Sequence, residues 1–312
     1  MKDIISIIVP CYNEQEVILK LYKVLNEVTD VIYNKTGAMF EFLFIDDGST
    51  DMTLELLKEI SLKDNKIKYF SFSRNFGKEA AMLAGLKHSN GDYIAIIDAD
   101  MQDPPQLLEH MYEQIKLNDY DCIATRRKDR TGEPPIRSFF SKLFYIIVNL
   151  LSKTYIVDGA RDFRIMTRRM VNAILEVGEY NRFSKGIFNW VGFNTKYIEY
   201  ENIERYAGKT KWSFYKLFIY SLEGIVAFST IPLALASLVG VVVFVIALFM
   251  VILIVVKTLI WGEPVQGYPT IICIILLIGG IQLLCMGILG QYVSKIYLES
   301  KHRPVYIIKE SN

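Results

Sequence analysis

The chain has 312 residues, with 35 Lys and Arg against 34 Asp and Glu, for a formal charge of +1. That balance supplies no bulk basic field and argues against a nucleic-acid partner. The histidines (His88, His110, His302) are scattered and no CxxC pair joins Cys11, Cys122, Cys273 and Cys285, which argues against a His-based zinc site, a Ser–His–Asp triad and a disulfide framework.

From the N-terminus, apolar runs predict strands over Ile4–Val9, Phe42–Ile45, Lys68–Phe72, Tyr93–Ile97 and Cys122–Thr125. Helical patterns over Glu14–Val28, Thr53–Leu62, Lys78–His88 and Pro105–Leu117 separate them. Strands alternating with helices predict an α/β fold with a doubly wound, mainly parallel sheet. In such sheets ligands lie beyond the carboxyl ends of the strands. Here the strands are followed by "PCYNE", "DDGSTD", "SRNFGK", "DADMQD" and "RRKDR". Turn chemistry explains any one of these; five converging on one edge predict a site.

The remaining sequence is apolar in long blocks. No charged residue occurs between Glu223 and Lys257, or between Glu263 and Lys295, and each run exceeds the ~20 residues that cross a bilayer. Lys209, Lys211 and Lys216 precede the first run, and Lys295, Lys301, Arg303 and Lys309 follow the second. Positive flanks favour the cytoplasm, so both termini are expected inside, with Trp261 and Tyr268 at the outer interface. Two apolar segments carrying spaced basic residues, 137–153 and 211–227, read as interfacial helices. The predicted organisation is a cytoplasmic domain over 1–210, membrane spans over 228–256 and 270–294, an outer loop over 257–269 and a cytoplasmic tail over 295–312.

In "DADMQDPP" three carboxylates crowd into six positions. Asp103 reads as a cap for the helix that begins at the prolines. Asp98 and Asp100 repel one another unless a cation lies between them. Hard carboxylates ending a strand suit Mg²⁺ or Mn²⁺ carrying a diphosphate. No GxGxxG occurs, and "AGKT" (207–210) lacks the Gly that a phosphate-binding loop needs at Ile203.

"IIVPCYNE", "FIDDGSTD", "SRNFGKEAA", "GDYIAIIDADMQDPP" and "DFRIM" resemble the polyisoprenyl-phosphate glycosyltransferases of glycosyltransferase family two. These include dolichol-phosphate mannose synthases and, closer in having two C-terminal spans, the bactoprenol glucosyltransferases. The resemblance implies a GT-A-type nucleotide-sugar domain with interfacial helices and two transmembrane helices. Pro10, Tyr12 and Glu14 would line the nucleotide pocket beside Ile45 and Ala99, with Asp47 reading the base and Asp46 adjacent. Asp98 and Asp100 are the DxD pair; Asp100 and Gln102 would ligate Mg²⁺ or Mn²⁺ directly, with Asp98 beside them. Arg126 would approach the phosphates, and Arg205 and Lys211 would close over them. For the family's acid before "FR", spacing favours Asp158 over Asp162, whose alternative role is a strand-edge charge.

The activity implied is transfer of one sugar, UDP-glucose being the expected donor, to a polyprenyl phosphate in the bilayer. GDP-mannose, UDP-N-acetylglucosamine and a UDP-aminoarabinose remain alternative donors. The resemblance also implies a homo-oligomer, by family a tetramer, that works with a lipid-sugar flippase and a downstream glycosyltransferase. A processive polysaccharide synthase would need more spans and a QxxRW-type motif. A non-catalytic membrane scaffold would not need Asp98 and Asp100 beside the Asp46–Asp47 pair.

Overall fold

The computed structural model describes residues 2–128, 149, 157–200, 231–261 and 267–312. The expected interfacial segments 137–153 and 211–227 therefore lie essentially outside the described residues, as do Arg205 and Lys211.

The predicted alternation is present. It runs β1 (Ile4–Cys11), α1 (Ile18–Thr36), β2 (Met39–Asp46), α2 (Thr53–Ser61), β3 (Ile67–Phe72), α3 (Lys78–His88), β4 (Tyr93–Ile96), α4 (Leu107–Leu117) and β5 (Cys122–Arg127). Beyond these lie β6 (Ala160–Thr167), α5 (Arg168–Glu176), α6 (Ser184–Trp190), β7 (Thr195–Tyr200), α7 (Ile231–Trp261), α8 (Tyr268–Ser300) and β8 (Ile308–Ser311). The sheet order is β7-β5-β6-β4-β1-β2-β3-β8. β4, β1, β2 and β3 form the parallel block. β6 lies antiparallel between β4 and β5, and β8 is antiparallel on the β3 edge. The sheet is therefore mixed, with a parallel centre.

Alternation along the strands explains the two core layers. Ile5, Ile7 and Val9 of β1 pack with Leu21 and Leu25 of α1 and with Met111 of α4. Ile8, between them in sequence, turns to the other face, toward Ala81 and Ala84 of α3 and Met170 of α5. Small residues along α3 let that helix lie close: a Cβ added at Gly85 would collide with the Ile8 side chain.

Helix α1 begins later and ends later than its sequence pattern predicts. The Glu14 amide donates to Thr53 Oγ1 (2.8 Å), which ties the preceding turn to the neighbouring loop. At the far end Gly37 adopts φ 72°, and its amide closes the helix onto the Tyr33 carbonyl.

α7 and α8 are two long helices whose large apolar side chains are widely exposed, among them Phe244, Leu248, Leu283 and Met286. Within them Ile231–Met250 and Leu277–Ser300 are long and apolar enough to cross a membrane, with mean hydropathy 2.9 and 1.5. The segment after α8, expected as a tail, instead returns to the sheet. Asn312 Oδ1 accepts from the Tyr69 amide (2.7 Å), its Nδ2 donates to Ile67 O (3.0 Å), and Tyr306 stacks on Phe72 at 5.0 Å.

Candidate active site

β1 pairs with β2 on one side and β4 on the other, which puts the topological switch point at the carboxyl ends of β1 and β4. The loops there are laced into one rim. The Asn13 amide donates to Ser49 Oγ (2.9 Å), and Asn13 Oδ1 accepts from the Thr50 amide (2.8 Å). Gly48, at φ 67°, lies against the Arg74 backbone so tightly that a side chain there would strike it. Of the nucleotide-pocket residues expected, Pro10, Tyr12 and Glu14 are partly exposed along this rim. Ile45 and Ala99 are buried in the core layers, so a ligand would meet them chiefly through backbone atoms.

The two adjacent acids at the end of β2 serve different purposes. Asp46 is fully buried, accepting from the Ser49 amide (3.1 Å) and Ser71 Oγ (2.7 Å). Asp47 accepts from the Phe76 amide (2.6 Å) and the Gly77 amide (2.9 Å), which fixes the loop that leads into α3. Burial, reinforced by the neighbouring Asp46, pushes the Asp47 carboxyl up to about 6 against those amide bonds.

Beyond β4 the acids of the DxD separate. Met101 adopts φ 56°, an uncommon conformation for an L side chain, and the sharp turn brings the Gln102 amide to Asp100 Oδ1 (3.1 Å). Asp98 turns to Lys78, whose Nζ lies 2.8 Å from Oδ2 in a hydrogen bond and 2.6 Å from Oδ1 outside hydrogen-bond geometry. The same Nζ donates to Asp162 Oδ2 at 2.5 Å. Strand register explains the meeting. Ile96 pairs with Arg164 in the antiparallel β4–β6 ladder, and continuing two residues sets Asp98 across from Asp162. Burial alone would raise the Asp162 carboxyl. The Lys78 ammonium, with Lys185 and Arg164 further off, overrides burial and holds it well below the usual range. The two carboxylates in turn raise Lys78 despite its desolvation.

Asp158, favoured on spacing, sits exposed in the turn before β6, next to Gly159 at φ 75°. Asp162 is the acid that reaches Asp98; spacing along the chain carries no information about strand register. Lys78, the last residue of "SRNFGK", is a cation at a strand end facing acids, a role that its local sequence does not mark.

The basic groups divide between two places. Arg126 is ion-paired with Glu199 on β7, directly opposite it in the β5–β7 register. Arg127 and Arg161 donate instead to Gln102 Oε1, at 3.1 and 3.3 Å. A register shift in β5 between Ala124 and Arg126 accompanies this change of aim. Asp103 is no helix cap. It is fully buried, accepting from Arg161 Nε (3.0 Å) and from the Tyr200 hydroxyl. The α4 cap position is Gln106, with no side-chain bond. Burial opposes charge on Arg161, but Asp103 and then Asp98 hold it protonated.

Comparison with known proteins fits this architecture. The sequence model described as "Glycosyl transferase family 2" matches residues 6–175. The chain is 42% identical over all 312 residues, and 93% of the relative, to CsbB of Bacillus subtilis, a protein named as a glycosyltransferase. It is 39% identical to the bactoprenol glucosyl transferase of Shigella phage SfV over 98% of both chains. Among solved structures it is similar to the mannosyltransferase PcManGT from Pyrobaculum calidifontis, in complex with GDP-Man and Mn²⁺. That similarity has 17% identity, covers 72% of this chain and 63% of that one, and has a TM-score of 0.48. With a family match over more than half its length and relatives aligned nearly end to end, the chain belongs to glycosyl transferase family 2 and is a glycosyltransferase.

Proposed function

We propose that this enzyme transfers one sugar, glucose from UDP-glucose, to the phosphate of a polyprenyl lipid at a membrane surface. The observation that carries the reading is the 39% identity to a bactoprenol glucosyl transferase over 98% of both chains. The likeness therefore extends through the apolar C-terminal helices that would meet the lipid. The pairing of β8 with β3 supports a hairpin topology, because it returns the chain after α8 to the sheet of the N-terminal domain. Both termini then lie on one side, which the flanking lysines favour as the cytoplasmic side.

The donor set at the switch point suits Mg²⁺ or Mn²⁺. Asp98 and Asp100 offer hard oxygens, Gln102 has an amide oxygen that now accepts from Arg127 and Arg161, and Asp98 Oδ1, buried and outside hydrogen-bond geometry, faces the Lys78 ammonium at 2.6 Å. An ion there would be held by one or two carboxylates and by substrate phosphates. When bound, such an ion would neutralise charge building on the leaving diphosphate.

The acceptor is a phosphate monoester, largely dianionic at neutral pH, so its oxygen needs little help from a general base. The chain's task is to place that oxygen in line with the anomeric carbon and to balance the charge that develops there. Asp162 is the better placed of the two candidate acids for balancing positive charge at that carbon, being next to Asp98. Arg127 and Arg161 extend cationic surface beside the DxD, and Arg205 and Lys211 are assigned the same task from the family resemblance. Direct displacement predicts inversion, a β-linked product from an α-linked donor. The test is incubation of the purified full chain with a panel of nucleotide sugars and short polyprenyl phosphates, followed by mass analysis of the lipid. A glucosyl lipid formed only with UDP-glucose supports the reading; no sugar-bearing lipid with any donor would refute it.

A further inference from the structure

We infer that Lys78 is a resident counter-ion for Asp98 that yields its place to the incoming divalent cation and passes to Asp162, so that metal is retained firmly only together with the donor diphosphate. The inference rests on the metal reading above and adds a residue and an order of binding to it.

The starting geometry is a three-membered ionic bridge. Lys78 Nζ is within 2.8 Å of both Asp98 oxygens and 2.5 Å from Asp162 Oδ2. The carboxylates are largely buried, at 18% and 14% exposed, whereas the lysine side chain is 42% exposed along its length. Its helical neighbour Glu79 does not compete for it, because the Glu79 carboxylate accepts from the Ser184 amide and hydroxyl. With the ammonium in place, the otherwise repelling pair Asp98 and Asp162 is bridged and half of its charge is offset without any metal.

A divalent cation binds carboxylate oxygen at about 2.0–2.2 Å. On either oxygen of Asp98 it would lie within a few ångströms of the ammonium, and like charges that close repel. The two cations cannot share Asp98 as the lysine now holds it. Asp162 gives the ammonium a second anchor on the far side of the bridge, so Lys78 can release Asp98 while staying in the site. A donor diphosphate favours the exchange from both ends, supplying oxygens to the metal and further negative charge to the displaced ammonium. The metal without the diphosphate must displace Lys78 with no such return. Lys78 thus acts as a positioning residue that couples metal retention to donor occupancy.

The test is Mn²⁺ binding to the full chain in detergent, followed by the electron paramagnetic resonance of the free ion, with and without UDP, for wild type, Lys78→Met and Lys78→Gln. Thermal unfolding of each is recorded in parallel. Without UDP, both variants are expected to bind Mn²⁺ about tenfold more tightly than wild type and to gain a larger rise in Tm from the ion. UDP should tighten Mn²⁺ binding strongly in wild type and much less in the variants. Asp98→Ala should weaken binding in every background. Mn²⁺ affinity that is unchanged or weaker in both folded lysine variants would overturn the inference while leaving the metal site standing. Undetectable Mn²⁺ binding by all proteins, with UDP present, would overturn the metal reading and the inference together. If neither variant retains a cooperative unfolding transition without metal, restoration of that transition by Mn²⁺ supports the exchange, and failure to restore it counts against it.

Discussion

Asp98 and Asp162 face one another across two antiparallel strands, with the Lys78 ammonium hydrogen-bonded to both, at 2.8 and 2.5 Å. This meeting links a residue after β4 to one near the start of β6 and separates the two acids that the sequence leaves in competition. Asp162→Ala should therefore lower transfer by ~10²-fold or more, the scale of losing a preorganised electrostatic group. Asp158→Ala should change it less than about threefold, close to the effect of an exposed turn residue. Steady-state transfer to a short polyprenyl phosphate measures both, and the reverse ranking would return the role to Asp158.

Asp100→Ala should abolish transfer while the unfolding profile of the chain is retained. Its carboxylate is partly exposed and lies in the loop after β4, where it accepts the Gln102 amide. Excess chelator should reproduce the loss in wild type, and added Mg²⁺ or Mn²⁺ should reverse it. Full turnover in chelator would remove the divalent ion from the mechanism.

Much of the fold and of the site's edge is legible in the sequence. The strands β1–β5 are apolar and β-branched and the helices between them repeat at helical spacing, so local pattern suffices to place the central sheet and its ligand edge. β8 is only four residues long with none of them fully buried, and its partner β3 lies far earlier in the chain, so no local pattern announces it. The same limit hid the site's cation. Lys78 gains meaning only when β6 enters antiparallel beside β4 and sets Asp162 across from Asp98. Nor does local sequence say whether Arg126 or its neighbour Arg127 approaches Gln102. Adjacent strand residues point to opposite faces, and the register shift in β5 decides which one reaches Gln102.

Asp47 provides a pH-dependent signature. Its folded carboxyl titrates at about 6 against a reference of 3.8, so between those values the folded state binds more proton than the unfolded state. Stability contributed by this group is present at low pH and lost as pH rises through the window from about 4 to about 6. A shift of about two units corresponds to on the order of 3 kcal/mol. The unfolding free energy of wild type minus that of Asp47→Asn should fall across this window and level off above it. A difference that is flat, or rises with pH, would contradict the burial argument.

Membrane topology is open to direct labelling. In a chain with its native cysteines replaced, a cysteine at Gln266 should react with an impermeant reagent from outside the cell. One beside Asn312 should react only after permeabilisation, because Asn312 is bonded to β3 of the catalytic sheet. External labelling at both positions would be incompatible with a two-span hairpin.

The end of α8 is fastened to the catalytic domain by Glu299. Its carboxylate accepts from the amides of Tyr180 and Asn181, each at 3.0 Å, and from Asn181 Nδ2 at 3.1 Å. One turn earlier Lys295 Nζ donates to Asn181 Oδ1 at 3.3 Å. The clamped segment leads within three residues to Ser184, whose amide and hydroxyl hold Glu79 beside Lys78. Glu299→Ala would leave the Tyr180 and Asn181 amides without their acceptor, and charge-assisted bonds of this kind contribute roughly 1.5–3 kcal/mol each. The 178–183 segment should then open more often, and trypsin should cut after Arg182 faster than in wild type. Transfer should fall by about tenfold, with a smaller change in donor binding, because the loosened helix is the part that would meet the lipid. Unchanged cleavage at Arg182 together with unchanged transfer would show that Glu299 is not what holds α8 to the domain.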